Sequence, residues 1–371
     1  MTRFALFVHS LVSDWNHGNA HFLRGVTSEL LARGHEVRVF EPRDGWSRRN
    51  LLAERGSPAV EELERAFPDL RSVLYDPETV DLAAALDGVD IVLVHEWNDP
   101  ELVAGVGRVR GRRADLRVLF HDTHHRAATA PETMARYDLS AYDGVLAFGR
   151  VIRDLYVERG WARDAWTWHE AADPRVFRPL EAVGERRDLV WIGNWGDEER
   201  SAELREFLLG PAGALGLSGT VHGVRYPPAA VAEVEAAGLR FGGWVANHRV
   251  PHVFASHGVT VHVPRRPYAQ ALPGIPTIRP FEALACGIPL VSAPWEDAEG
   301  LFREGDYLVA RDGAEMRRLM REVLADPELR RRLVARGRET ILARHTCAHR
   351  VDELLSICAE LGVRDPEAAA A

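Results

Sequence analysis

Short apolar runs rich in β-formers alternate with longer amphipathic stretches along the whole chain, the pattern of βαβ units wound around parallel sheets. In the first half the runs are Phe4–His9, Glu36–Phe40, Ser72–Tyr75, Asp90–His95, Arg117–His121, Val145–Phe148 and Ala165–Trp168. Between the first two, Phe22, Val26, Leu30 and Leu31 recur at helical spacing and predict a helix over Ala20–Arg33, with Gly34 as its C-terminal cap. The pattern then restarts. Strands are predicted at Asp188–Ile192, Gly219–His222, Leu239–Phe241, Val259–Val263, Pro289–Ser292 and Tyr307–Val309. Helices are predicted over Ala229–Ala236, Val245–Ser256, Ile278–Cys286, Ala314–Ala325 and Glu328–His345. The expected fold is α/β, with two Rossmann-like doubly wound domains facing across a cleft. Their expected bounds are 1–170 and 187–345, joined by a linker over 171–186 that carries Pro174, Pro179 and a charged cluster.

Composition fits this picture and narrows the chemistry. A chain of 371 residues is long enough for two cores, and 46% hydrophobic with 27% charged residues is an ordinary globular balance. The net charge of −9 argues against a nucleic-acid partner or an anionic membrane surface. There is no lysine, so all 46 basic residues are arginine. That excludes a pyridoxal-phosphate Schiff base and a phosphate-loop lysine, and leaves phosphate binding to arginine, main-chain N–H groups and helix N-termini. Cys286, Cys347 and Cys358 form no CxxC pair and no disulfide framework. The opening run FALFV is short for a signal-peptide core and no stretch approaches the ~20 apolar residues of a membrane span, so a cytoplasmic protein without an integral membrane segment is expected.

Ligands of open α/β sheets bind beyond the carboxyl ends of the strands, so the residues that follow each strand carry the candidate chemistry. After the first strand comes LVSDWNHGN, Leu11–Asn19, in place of a dinucleotide GxGxxG. Trp15, Asn16, His17, Gly18 and Asn19 form a polar loop at a helix N-terminus, suited to an acceptor or a phosphate; a plain helix cap at Asn19 is the structural alternative. His95-Glu96-Trp97-Asn98 follows the fourth strand and His121-Asp122-Thr123-His124-His125-Arg126 the fifth. Three histidines and an aspartate are metal-ligand types, but residues alternating along one loop seldom converge. A polar cluster that orients substrate or carries a general base is the stronger reading, with His17, His121, Asp122 and His124 as its catalytic candidates and Asp122 beside His124 to hold an imidazole tautomer.

In the second half, Trp191-Ile192-Gly193-Asn194-Trp195-Gly196 runs from a strand into a glycine-bearing turn, followed by an acidic helix start at Asp197–Glu199. Gly193, Asn194 and Trp195 are donor-site candidates, because glycines there let a phosphate approach the main chain. The sharpest element is LPGIPTIRPFEALACGIPLVS, Leu272–Ser292. Its proline-stiffened loop delivers Gly274, Ile275, Thr277, Ile278 and Arg279 to a helix N-terminus, where N–H groups and a guanidinium suit a diphosphate. Glu282, one turn in, is placed with Arg279 at the exposed end of the helix to accept hydrogen bonds from ribose hydroxyls.

The stretch RPFEALACGIPLVS resembles the donor-binding helix of the large GT-B glycosyltransferase group. The segments HGNAHFLRGVTSELLARGHEVRVFEP and HDTHHR, with WIGNWGDEER and EAADPRVFRP, resemble the CgeB/YkvP spore-protein-like members more specifically. The resemblance implies that Glu282 holds the donor ribose. It also implies a metal-independent reaction with no cofactor beyond the nucleotide sugar, UDP-, dTDP- or GDP-linked, and that a C-terminal helix, Cys347–Leu361 within 346–371, crosses back to the first domain ahead of a frayed tail, DPEAAAA. Many retaining relatives carry a further glutamate near the sugar, eight positions before Glu282, where this chain has Gly274. The expected function is transfer of a hexose from a nucleoside diphosphate sugar to an acceptor bound by the first domain. A sugar-nucleotide 2-epimerase of the same fold, which needs no acceptor, and a non-catalytic ligand-binding relative are the alternatives.

Overall fold

The computed structural model describes residues 1–182 and 184–363, so the tail DPEAAAA lies outside the described residues. The chain divides into two compact units: Met1–Glu170 together with the segment from Cys347, and Ala171–Thr346.

The first unit is built on a seven-stranded sheet of β1 (Arg3–Phe7), β2 (Glu36–Pro42), β3 (Ser72–Tyr75), β4 (Ile91–His95), β5 (Arg117–Asp122), β6 (Gly144–Ala147) and β7 (Ala165–Thr167), in the spatial order β3-β2-β1-β4-β5-β6-β7. Every pairing in it is parallel, with Phe4 in register with Val37 on one side and Ile91 on the other. Parallel strands are covered on both faces, which is why β1 and β4 read as continuous apolar runs and are buried almost throughout. The helix Ala20–Ala32 covers part of this sheet through Phe22, Leu23, Val26 and Leu30, and ends where Gly34 takes φ +80° and donates its N–H to the Leu31 carbonyl at 3.0 Å. The helix Cys347–Glu360 belongs to the same unit: Arg33 pairs with Asp352 at 2.5 Å, and the Trp168 indole N–H donates to the Arg350 carbonyl at 2.8 Å.

The second unit holds a six-stranded sheet of β8 (Arg187–Ile192), β9 (Gly219–His222), β10 (Arg240–Gly243), β11 (His257–His262), β12 (Leu290–Ser292) and β13 (Leu308–Val309), in the order β10-β9-β8-β11-β12-β13. It is parallel throughout, with β8 between β9 and β11. The helices Gly313–Ala325 and Pro327–Arg344 start at Asp312 and Asp326, whose carboxylates accept main-chain N–H bonds from the first turn.

Two segments depart from the sequence reading. The stretch Val245–Ser256, expected as one helix, is a short 3-10 turn over Asn247–Arg249 followed by a helix over Val250–Ala255. Pro251 explains the break: it suits the first turn of a helix but would cost an internal hydrogen bond in a helix running through from Val245. Residues 171–182, read as a connector, pack within the second unit. Ala172 bridges to Thr346, and Phe177 is buried among Phe254, Phe281 and Leu284.

Phe177→Ala is therefore expected to destabilise the second unit by about 3–5 kcal/mol, the ordinary cost of emptying a buried phenylalanine site. Urea unfolding checks this; a change near zero would return the segment to the role of a free connector.

Candidate functional site

Each sheet reverses its strand order once, between β1 and β4 in the first unit and between β8 and β11 in the second. At such a reversal the connections leave towards opposite faces, so a crevice opens at the strands' carboxyl ends. The polar residues singled out from the sequence collect at these two places.

In the second unit the reversal is spanned by Arg200. Its guanidinium donates to the Asn194 carbonyl at 2.7 Å and side-chain oxygen at 2.5 Å, beyond β8, and to the Val263 carbonyl at 3.3 Å, beyond β11. It lies 5.1 Å over the Trp191 ring. These hydrogen-bond acceptors are all neutral oxygens; no carboxylate is among them in the described residues, and the enclosed Nε has no partner. Burial first, then the charges of Arg265 and Arg279, pull its pKa down to about 10. The group stays cationic, while Arg265 is paired with Glu199 at 3.0 Å and Arg279 with Glu282. The glycines of this turn serve Arg200 itself: a Cβ on Gly196 would come within 2.6 Å of its Cγ, and one on Gly193 within 3.2 Å of a guanidinium nitrogen. Trp195 is buried in the second core rather than displayed for stacking. Asp197 and Glu198, expected to start a helix, form a turn with positive φ, and the helix begins at Ser201.

Across the reversal, the loop that follows Leu272 enters the helix Ile278–Cys286 through Thr277 at φ +65°, a strained conformation for a β-branched residue. The Thr277 side chain makes no capping bond, so the N–H groups of the first turn receive no acceptor from the N-cap residue. Arg279 stands there and pairs with Glu282, whose other oxygen accepts from the Asn247 amide at 3.0 Å. Glu282 is 0% exposed, so it sits with Arg279 as expected but beneath the surface and not at an exposed helix end. Gly274 takes φ +93°, donates its N–H to the Glu296 carbonyl at 2.7 Å, and is covered by Glu299; a Cβ at Gly274 would lie 2.8 Å from that carboxylate's Oε1. Ile275 is buried beside it. His262, ending β11, is fully buried with Nδ1 2.9 Å from the Ser292 hydroxyl, and burial lowers its pKa to about 3.

In the first unit four imidazoles run in a row across the reversal. Ring centroids are 5.1 Å apart for His9–His17, 6.3 Å for His17–His95 and 5.1 Å for His95–His121. Burial keeps all four neutral at neutral pH: His9 falls to about 4, His121 to about 3, and His17 and His95 well below the usual range. His9 alone of the four keeps part of its surface exposed. The Nε2 atoms of His17 and His121 are enclosed without a partner. Asn19 does not cap the helix that follows it; its amide approaches His95 Nε2 at 3.5 Å. Trp15 donates its indole N–H to Glu54 at 2.6 Å, Asn16 adopts φ 48°, and the loop is anchored by the Asp14–Arg24 pair at 3.0 Å. Gly18 lies in the turn that leads into the helix.

The expected Asp122–His124 imidazole contact is absent. Asp122 accepts instead from the main-chain N–H of His124 at 2.9 Å and the Tyr156 hydroxyl at 2.8 Å. It is wholly buried, and that burial, with the nearby Glu96 charge, raises its pKa to about 8. Burial and the Glu96 charge both favour the protonated form of Asp122, which weakens it as a general base. The His124 ring packs on the edge of Trp97 at 5.2 Å, and Arg126 stacks over the same indole at 4.2 Å while pairing with Glu96. Among the described residues no group of three or more His, Cys, Asp or Glu is disposed to hold a metal ion, and no helix is long and apolar enough to cross a membrane.

Sequence reasoning missed His9, Trp46, Arg200, His262 and Glu299. His9 was legible, since it ends an apolar run as His95 and His121 do. Arg200 closes the quoted segment WIGNWGDEER without being singled out there, and Glu299 carries no motif; both reach their places through the folded loops.

Residues 200–356 match the family model described as glycosyl transferase-like. No curated protein sequence matches the chain. Among solved structures, sucrose-phosphate synthase from Thermosynechococcus elongatus is similar at 16% identity and TM-score 0.64, over 97% of this chain and 99% of that one. An alpha-glucosyltransferase in complex with UDP is similar at 14% identity and TM-score 0.67, over 97% and 100%. The Anabaena HepE protein in complex with UDP and glucose is similar at 11% identity and TM-score 0.65, over 97% and 100%. These are likenesses of fold: two parallel-sheet, Rossmann-like units, the GT-B architecture of glycosyltransferases.

The neutral histidine row has a consequence for stability. The unfolded chain protonates its histidines near 6.5 while the folded row does not, so the unfolded state binds more protons below that pH. The stability is complete above about 6.5 and is lost as pH falls towards the folded values. Between pH 7.5 and 5.5 the wild type is expected to lose about 1 kcal/mol more than His121→Gln. Urea unfolding at both pH values measures this; equal losses would show that His121 does not resist protonation.

Proposed function

We propose that this chain is a metal-independent glycosyltransferase that moves a hexose from a nucleoside diphosphate sugar, UDP-linked in the first instance, to an acceptor hydroxyl. The observation that carries the reading is Arg200: a cation without a carboxylate among its hydrogen-bond partners, beside Arg265 and Arg279, at the strand-order reversal of the second sheet. Arg200, with Arg265 and Arg279 nearby on their own carboxylates Glu199 and Glu282, and the N-terminus of the helix Ile278–Cys286 make a seat for a diphosphate. They also supply the positive charge a leaving diphosphate needs, without a metal ion. UDP in two of the similar structures, and glucose in one, support the donor class. The finer affiliation with CgeB/YkvP-like proteins rests on the segments quoted from the sequence.

In the transfer the acceptor oxygen bonds to the anomeric carbon of the donor. The bond from that carbon to the β-phosphate oxygen breaks, and its electron pair leaves with the nucleoside diphosphate. The hydroxyl proton passes to His9, the partly exposed and neutral imidazole of the first unit's row. Glu282, held by Arg279 and Asn247 beneath the surface, positions Arg279 and the donor helix. Glu299 supplies the carboxylate beside Gly274, where the resemblance leads one to expect a glutamate.

Arg200→Met separates the anion seat from a structural brace. The expected result is a 10- to 100-fold loss of UDP affinity by calorimetry with an unchanged or raised Tm, because a buried cation with no carboxylate partner of its own costs stability until its anion arrives. A lowered Tm with unchanged UDP affinity would reduce Arg200 to a clamp on the two loops and remove the main support for the donor site.

A further inference from the structure

Seven large hydrophobic side chains are exposed among the described residues, and only two are aromatic: Trp46, 38% exposed, and Trp97, 43% exposed. They come from different elements and meet at one place. Their ring centroids lie 6.4 and 6.1 Å from that of His9.

Local structure holds both indoles there. Trp46 opens the helix Trp46–Arg55 directly after Gly45. A Cβ on Gly45 would press to 3.3 Å from the His9 carbonyl and 3.2 Å from that of Pro42, so a glycine lets the helix begin this close to the end of β1. The ring of Trp46 meets Trp15 edge-on at 5.0 Å, and Trp15 is fixed by its bond to Glu54. Trp97 projects from the turn after β4. Asn98 pins that turn by donating to the carbonyls of Phe7 at 2.9 Å and His95 at 2.8 Å. Arg126 and His124 then fix the Trp97 ring from the side.

Resting on the sugar-transfer reading above, we infer that Trp46, His9 and Trp97 form the acceptor seat, and that the acceptor is a saccharide. A sugar ring offers an apolar C–H face and a rim of hydroxyls. This site offers indole surface interleaved with hydrogen-bonding side chains: His9, His124, Arg126 and Glu54. A flat aromatic acceptor would call for an apolar slot on both faces, whereas here the neighbours of the two indoles are mostly polar or ionised. An anionic acceptor would call for a cation without a carboxylate, and the arginine at this place is paired with Glu96.

Saturation-transfer NMR on the UDP-loaded full chain tests this. The probes are the methyl glycosides of glucose, galactose, mannose, rhamnose and N-acetylglucosamine, with 4-methylumbelliferone as the flat aromatic. The expected result is saturation of the ring C–H protons of at least one glycoside. That signal should fall fivefold or more in Trp46→Ala and in Trp97→Ala, with UDP affinity within twofold of wild type. Should an alanine variant lose UDP, Trp→Leu at that position takes its place, keeping apolar bulk without a π face, with the same expectation. Saturation of the aromatic probe alone, of no probe, or undiminished saturation in the variants would overturn the inference. A wild-type chain that binds no UDP would instead sink the donor reading, so the two failures are distinct.

Discussion

A parallel sheet whose strand order reverses must send neighbouring connections to opposite faces, and what it leaves uncovered between them is where this chain keeps its chemistry. The constraint acts twice. In one sheet the reversal gathers the ends of β1 and β4, and in the other those of β8 and β11. Strands buried on both faces carry mostly apolar side chains along their length, and the polar groups of the two sites stand at or near their carboxyl ends. His9, His95, His121 and His262 all stand at such ends, close enough to neighbouring groups that burial keeps each neutral. Neither site needs a residue from the middle of a strand.

The two reversals are filled with opposite electrostatics. The first holds neutral imidazoles, Asp122 with its pKa raised by burial, and the ion pairs Glu96–Arg126 and Asp14–Arg24, with exposed indoles at its rim. Such a place suits an uncharged, hydroxyl-rich ligand. The second draws Arg200, Arg265 and Arg279 near one another, with a helix N-terminus whose N-cap residue makes no capping bond. Arg265 and Arg279 have Glu199 and Glu282 as partners, which leaves Arg200 as the buried cation whose charge no carboxylate bond offsets. The absence of lysine makes the arrangement more specific, because a guanidinium binds phosphate oxygens in pairs along fixed directions.

The fold was largely legible in the sequence because its signal is periodic. All thirteen apolar runs are strands, and the helix Ile278–Cys286 has the predicted ends. The misses came where a single residue outweighs a pattern: Pro251 divides a segment that reads as one helix, and Phe177 anchors a segment whose prolines read as linker. The sites were legible only in part. Strand-end position located His17 and His121, and a helix N-terminus located Arg279, but not what each touches. Asp122 bonds to Tyr156 and the main chain, and Glu282 is sealed between Arg279 and Asn247, contacts fixed by elements far apart in the chain. Arg200 closes the quoted segment WIGNWGDEER, but no spacing there tells that it joins the loops after β8 and β11.

The most direct test of the account is a crystal structure of the chain with UDP bound. The account predicts the diphosphate within hydrogen-bond distance of the Arg200 guanidinium and the main-chain N–H groups of Ile278 and Arg279. A diphosphate seated on the His17 loop of the first unit, with Arg200 still bonded only to the Asn194 and Val263 oxygens, would contradict it.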